Sequence, residues 1–327
     1  MGLNDEDDAR EREGGEHWER ETLTRLATAA LAEQRRSRRW GILFKSLVLL
    51  YLFVVLFAVL NVGPLAPGDQ RDGGVHTAVV DVSGLIMAGS EASADRLIQG
   101  LESAFEDPGT QGVLLRINSP GGSPVQAGMV YDAIGRLREL HPDIPVYAVA
   151  TDLCASGGYY IAAAADRIYA NQASMVGSIG VRMGGFGFVD AIENLGVERR
   201  LITAGENKAL LDPFLPQDPQ DVSHLESMVA EIHQQFVSAV ERGRGDRLAE
   251  DAPVDLFSGL IWTGARAVEY GLIDELATPS QVAREVIGTE RMVDFTPRKD
   301  LLRRFSDRIG ATLTHTLKSD VLAPALR

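Results

Sequence analysis

The chain has 327 residues, 45% hydrophobic and 24% charged, an ordinary balance for a folded protein with room for one large domain or two small ones. A net charge of −14 excludes general binding to nucleic acid, because a polyanion would be repelled. A single cysteine, Cys154, excludes an intrachain disulfide framework and any all-cysteine metal site.

Residues 1–39 are dominated by charge, with the acidic runs "NDEDD" and "EREGGEHWERE" and the basic end "RRSRR". Such a segment cannot bury a core and reads as disordered or a loose helix. Residues 40–63 then turn apolar. Lys45 is their only charge, near the basic end where a long side chain snorkels to an interface. At ~1.5 Å per residue, 41–62 give roughly 33 Å of helix, enough for the hydrocarbon layer. The long leader, and the lack of an A-x-A site after Leu60, favour an uncleaved transmembrane anchor over a signal peptide. Arg35, Arg36, Arg38, Arg39 and Lys45 flank its start, which puts the N-terminus in the cytoplasm and the rest outside it. Residues 64–75 form a Pro/Gly-rich linker.

From 76 to 296 short apolar runs alternate with amphipathic segments. "HTAVVDVSGLI", "GVLLRIN" and "IPVYAVATDL" read as buried strands. "SADRLIQGLESAFED" places Leu97, Leu101 and Phe105 on one helical face, and "PVQAGMVYDAIGRLREL" is again helical. "GYYIAAAADR" reads as a helix, "RIYANQ" and "GSIGVRM" as short strands, "FVDAIENLG" as a helix and "VERRLIT" as a strand. A long helix over 221–245 ends at glycine, and "TGARAVEYGLIDEL" gives a helix and a closing strand. This alternation predicts an α/β domain with largely parallel strands. The basic tail 297–327 has a weak apolar face at Leu301, Leu302, Phe305 and Ile309. It reads as a terminal helix packed on the domain or a neighbour, with a membrane-surface role as the alternative.

Three places offer chemistry. Ser156, in "CASGGYY", falls between a strand and a helix, where unpaired N–H groups and the helix dipole stabilise a developing oxyanion. The competing reading is a plain N-cap, but two following glycines cost helix stability and point to a close approach to the backbone. "INSPGGSP" ends a strand and opens backbone N–H groups in the same way; its bland reading is a serine-capped turn. No histidine lies in a context that suggests a catalytic imidazole. Between the linker and the tail Lys208, in "GENKALLDPF", is the only lysine. A lysine acts as base only when burial lowers its pKa from about 10.4, and an exposed loop lysine is the competing reading.

Together, "SPGG", "ASGGYY", "VGSIGV" and "GENKAL", in this order over residues 76 to 290 behind one anchor, resemble the signal peptide peptidase A family. The resemblance implies a ClpP/crotonase-like fold and a membrane-anchored serine endopeptidase with a Ser-Lys dyad. Lys208 lies 52 positions after Ser156, as in the short single-repeat branch. Ser156 would be the nucleophile, Lys208 the general base, and Ser178 the serine that orients the lysine. The N–H groups of Gly157 and Gly122 would form the oxyanion hole, Gly121 being the neighbouring alternative to Gly122. An apolar substrate groove would be lined by Tyr159, Tyr160, Ile179 and Met183, and Cys154 would be a packed residue. No metal or nucleotide cofactor is implied. The expected partners are cleaved signal peptides, the inner membrane with the catalytic domain on its periplasmic side, and a homo-oligomeric ring, an octamer being one stoichiometry. In such a ring serine and lysine come from neighbouring subunits. A crotonase-like acyl-CoA enzyme and a catalytically inactive membrane scaffold of the same fold are the alternatives.

Overall fold

The computed structural model describes residues 36, 38–55, 74–250, 252 and 255–297. The chain divides into two compact units, Met1–Asp69 and Gln70–Arg327. In the first, residues 38–55 are helical, with Leu47, Leu50 and Phe53 among its exposed apolar side chains. No helix among the described residues is long and apolar enough to cross a membrane. The remainder of the expected anchor, 56–63, lies outside the described residues, as do the linker to residue 73, almost all of the charged leader and the tail from 298.

The second unit is built on one mixed sheet with helices. Among the described residues it has eight strands: β1 (His76–Ser83), β2 (Thr110–Ser119), β3 (Val146–Ala155), β4 (Arg167–Ala170), β5 (Met175–Gly177), β6 (Ile261–Thr263), β7 (Glu275–Leu276) and β8 (Met292–Asp294). Their order is β6-β5-β3-β2-β1-β8, with β4 on β3 and β7 on β4. Every pairing is parallel except β5 with β6. This architecture fits the α/β, ClpP/crotonase-like class.

Parallel strands are covered on both faces, which is why their sequences run apolar without strict alternation. Val80, Leu115, Ala148 and Ile168 form a row across β1 to β4, all fully buried in the main core. A smaller cluster holds Val79, Leu114, Val149, Tyr169 and Val282. The helix Ala94–Glu106 packs the expected Leu97, Leu101 and Phe105 into the main core. Truncating one of these leucines to alanine costs about 2–5 kcal/mol.

Three expected elements differ. The helix after Ser156 is only Gly157–Ala162, and the alanines beyond it turn tightly into β4. The strand expected over 177–183 stops at Gly177, where φ is +109. Residues 197–203 are not a strand: Val197, Leu201 and Ile202 are exposed, and no described strand pairs with them. A short segment with β-branched residues becomes a strand only where a neighbour supplies the ladder.

The strand β3 shapes the site. Its first half pairs with β4 and its second half, Leu153 to Ala155, with β5. Against β2, Ile117 faces Ala150 and then Ser119 faces Cys154, so β2 advances two residues while β3 advances four. Thr151 Oγ1 donates to Ile117 O at 3.1 Å and Asn118 Nδ2 to Asp152 Oδ2 at 2.8 Å, which closes the bulged stretch. Ser119, the last residue of β2, faces Cys154, so Ala155 alone of β3 runs past the end of β2.

Candidate active site

Ser156 is the first residue beyond β3. Its backbone sits at φ 52, ψ −123, and its side chain makes no cap bond, so it is not serving as an ordinary N-cap. A non-glycine residue held in such a region costs about 1–3 kcal/mol and persists only where its surroundings over-determine it. Here the surroundings are hydrogen bonds: Ser156 N–H donates to Gly177 O at 2.8 Å, and Ser156 O accepts from Tyr160 N–H at 2.9 Å. Ser178 is held in the same way. Its φ is also 52, and its N–H donates to Leu260 O at 2.7 Å. Ala155 pairs with Gly177, so Ser156 and Ser178 leave adjacent ends of the β3–β5 ladder. Both serines are half-buried, and neither hydroxyl has a hydrogen bond among the described residues.

The Gly-Gly loop after β2 packs directly against this corner. A Cβ on Gly121 would fall 2.6 Å from both Ser156 Cβ and Gly157 N, and one on Gly157 would fall 3.3 Å from Gly122 N. Space excludes a side chain at Gly121, and one at Gly157 would press the Gly122 N–H by a few tenths of an ångström. Ser119, fully buried, clasps the loop: its Oγ donates to Gly84 O at 2.6 Å and accepts Gly121 N–H at 3.0 Å. On the other side Ile86 N–H donates to Gly121 O, and Ser123 N–H to Ile86 O. The N–H of Gly121 is therefore committed. Those of Gly122 and Gly157 have no acceptor among the described residues, and they lie beside the Ser156 corner. The Ser119 clasp was not anticipated from sequence; the only signal was a hydroxyl two residues before a Gly-Gly pair. The capping serine of the bland reading is also present, but it is Ser123, which accepts from Gln126 N–H at 3.4 Å.

Lys208 lies elsewhere. It sits on an exposed turn, its N–H donating to Gly205 O at 3.2 Å, and no hydrogen bond or ion pair joins its side chain to Ser156 among the described residues. The segment leading to it exposes Met183, Phe186, Phe188 and Ile202. The expected groove residues part company. Tyr159 and Ile179 are fully buried, and Tyr159 spends its hydroxyl on Leu272 O at 2.6 Å, so they pack the core and cannot line a groove of this chain. Tyr160 is half-buried, stacked on Phe236 at 4.8 Å between centroids, and Met183 is exposed.

Cys154 is fully buried two residues before Ser156, and burial pushes its thiol up to about 12, which leaves it inert as a nucleophile at neutral pH. At the start of β4, Arg244 donates to Gly271 O at 2.8 Å and to Asp274 Oδ2 at 2.7 Å, and Asp274 also accepts Ile168 N–H. Burial alone would raise the Asp274 carboxyl; the bonds from Arg244 and Ile168 outweigh it and hold the group below its usual range. Among the described residues no cluster of His, Cys, Asp and Glu side chains is arranged to hold a metal ion.

The pattern of peptidase family S49 matches residues 138–291. A Brucella abortus protein named Na(+)/H(+) antiporter NhaA is 40% identical over 252 residues, which is 75% of this chain and 34% of that protein. The chain thus spans about a third of the length of that relative and of its Brucella melitensis counterpart, and most of the protein so named lies outside the match. An Enterococcus faecium protein, named as an inferred signal peptide peptidase SppA, is 31% identical over 60% of this chain and 56% of its own. An inferred protease of Synechocystis sp. is 33% identical over 62% of this chain and 69% of its own.

Proposed function

The chain belongs to peptidase family S49, the signal peptide peptidase A family, and from that premise we propose that it is a serine endopeptidase in which Ser156 attacks the substrate carbonyl and Lys208 is the base. The observation that carries the reading is the Ser156 corner: a serine with an unbonded hydroxyl, in a left-handed conformation, flanked by the uncommitted N–H groups of Gly122 and Gly157.

A neutral lysine amine takes the proton of Ser156 Oγ as the oxygen attacks. The negative charge that develops on the carbonyl oxygen is met by the N–H groups of Gly122 and Gly157, each worth about 3–4 kcal/mol in such a site. Collapse breaks the C–N bond, the protonated lysine gives its proton to the leaving amine, and water then hydrolyses the acyl-enzyme. Ser178 is the group proposed to orient the lysine, because it emerges beside Ser156 with a free hydroxyl. A lysine amine serves as a base only where it is desolvated, and in a single chain Lys208 is exposed. The base for each serine is therefore proposed to come from a neighbouring subunit of a ring. The substrates proposed are extended apolar peptides, remnant signal peptides among them, met at a membrane to which residues 40–63 anchor the chain, with the peptidase domain on the periplasmic side.

The test is turnover of a fluorogenic apolar peptide by the full chain, Ser156→Ala and Lys208→Ala. Loss in both variants is expected. Equal turnover in all three refutes the dyad, and no turnover by the wild type favours an inactive scaffold.

A further inference from the structure

We propose that Asp212 is a positioning residue that sets the direction in which Lys208 is presented, an inference that rests on the reading of Lys208 as the base. Lys208 belongs to a segment outside the core, yet its turn is closely fastened. Within it Leu210 N–H donates to Asn207 O, Asp212 N–H to Ala209 O and Leu215 N–H to Asp212 O, at 3.0–3.2 Å. Leu211 is held at φ 63, a conformation rare for a leucine. Immediately after it, the Asp212 side chain is only 11% exposed, on a segment where most side chains face solvent. Its carboxylate accepts from Arg199 Nη2 at 2.8 Å and from Phe214 N–H at 3.0 Å. Phe188 N–H donates to Pro213 O at 2.6 Å, and the Phe188 and Phe214 rings lie 5.7 Å apart.

These contacts join the stretch entering the turn, at Phe188 and Arg199, to the stretch leaving it, at Asp212 to Phe214. Lys208 is between them. With the two stretches joined, the lysine's backbone keeps one orientation before any neighbour is met. Surface ion pairs contribute little to stability, with a median of about 0–1 kcal/mol. Orientation, by contrast, is sensitive: a displacement of about 1 Å at a reacting group costs on the order of 100-fold in rate. The Arg199 bond, then the Phe214 N–H, hold the Asp212 carboxyl below its usual range, so the clasp stays charged at neutral pH.

The experiment measures kcat, KM and the pH dependence of kcat for the full-length assembled protein, with Asp212→Asn and, in case that variant misfolds, Arg199→Gln, which leaves the carboxylate in place. Both are expected to lower kcat, Asp212→Asn by about 100-fold, with KM within about twofold and assembly mass unchanged. The acid limb of the kcat profile is expected to move to higher pH, because an amine base that regains water is protonated more readily. A full kcat in both variants overturns the proposal, as does a loss with an unmoved acid limb or one accompanied by dissociation. Lys208→Ala in the same series separates the two levels: if it retains wild-type turnover, the base itself is misassigned; if it is inactive while Asp212→Asn is normal, only the positioning role fails.

Discussion

Two inactive chains are expected to make an active mixture. Ser156 Oγ and Lys208 Nζ share no hydrogen bond within one chain, and Lys208 lies on an exposed turn. If each site takes its serine from one subunit and its lysine from the next, a Ser156→Ala chain still supplies lysine and a Lys208→Ala chain still supplies serine. In a randomly mixed equimolar ring, half the positions hold an intact serine and half of their neighbours an intact lysine. About one site in four is then whole, so activity recovers to about 25% of wild type, with KM unchanged, since each restored site is complete. The two variants would be co-expressed with different tags, purified through both, and assayed with a fluorogenic peptide. A serine-directed phosphonate would count reactive sites independently. Doubly tagged assemblies with no activity above either variant alone would refute the shared site.

Gly122→Ala is expected to cost at least about 100-fold in kcat, because a Cβ there would fall 2.0 Å from Ile86 O at a φ of +154 and must displace the N–H beside it. Gly135→Ala is its counterpart: with no atom within 4 Å of the added Cβ, in the middle of a helix, it is expected to raise stability by about 0.4–1 kcal/mol in urea unfolding, activity unaltered. Asp274→Asn removes one partner of a buried pair and is expected to destabilise by about 3–5 kcal/mol. In the wild type this carboxyl is depressed in the folded state. The stability it contributes is therefore complete above the unfolded pKa of about 3.9 and is lost as pH falls through the lower folded value, which acid titration of the wild type against Asp274→Asn would show. Cys154 is expected to resist a thiol reagent at pH 8 until denaturant is added; rapid labelling of the native protein would contradict its burial.

The strand and helix order was legible because buried parallel strands and a Leu97-Leu101-Phe105 stripe carry their own periodicity. Ser156 stood out because Gly-Gly is a poor opening for a helix, and the structure shows what the glycines clear: the loop of Gly121 and Gly122. What stayed hidden depends on contacts between distant residues. The Gly121 N–H is taken by Ser119 Oγ, and the loop is pinned by distant Ile86, which donates to Gly121 O and accepts from Ser123 N–H and which no local pattern links to it. Tyr159 and Ile179 were expected in the groove that the resemblance implies, but a short helix and the end of β5 turn them inward. The segment 197–203 looked like a strand because Val197 and Ile202 favour extended backbone, a local preference that says nothing of which strand would pair with it.

The loosened stretch of β3 has a consequence for how this fold tolerates change. Side chains along a strand alternate up and down, and the surplus over β2 is an even number, so the phase before Thr151 is recovered by Cys154. Removing any one of Thr151, Asp152 and Leu153 would invert everything downstream, turning the Ser156 hydroxyl towards the opposite layer. Removing two would shorten the strand without inverting it. Length variation at this point should therefore survive only in pairs.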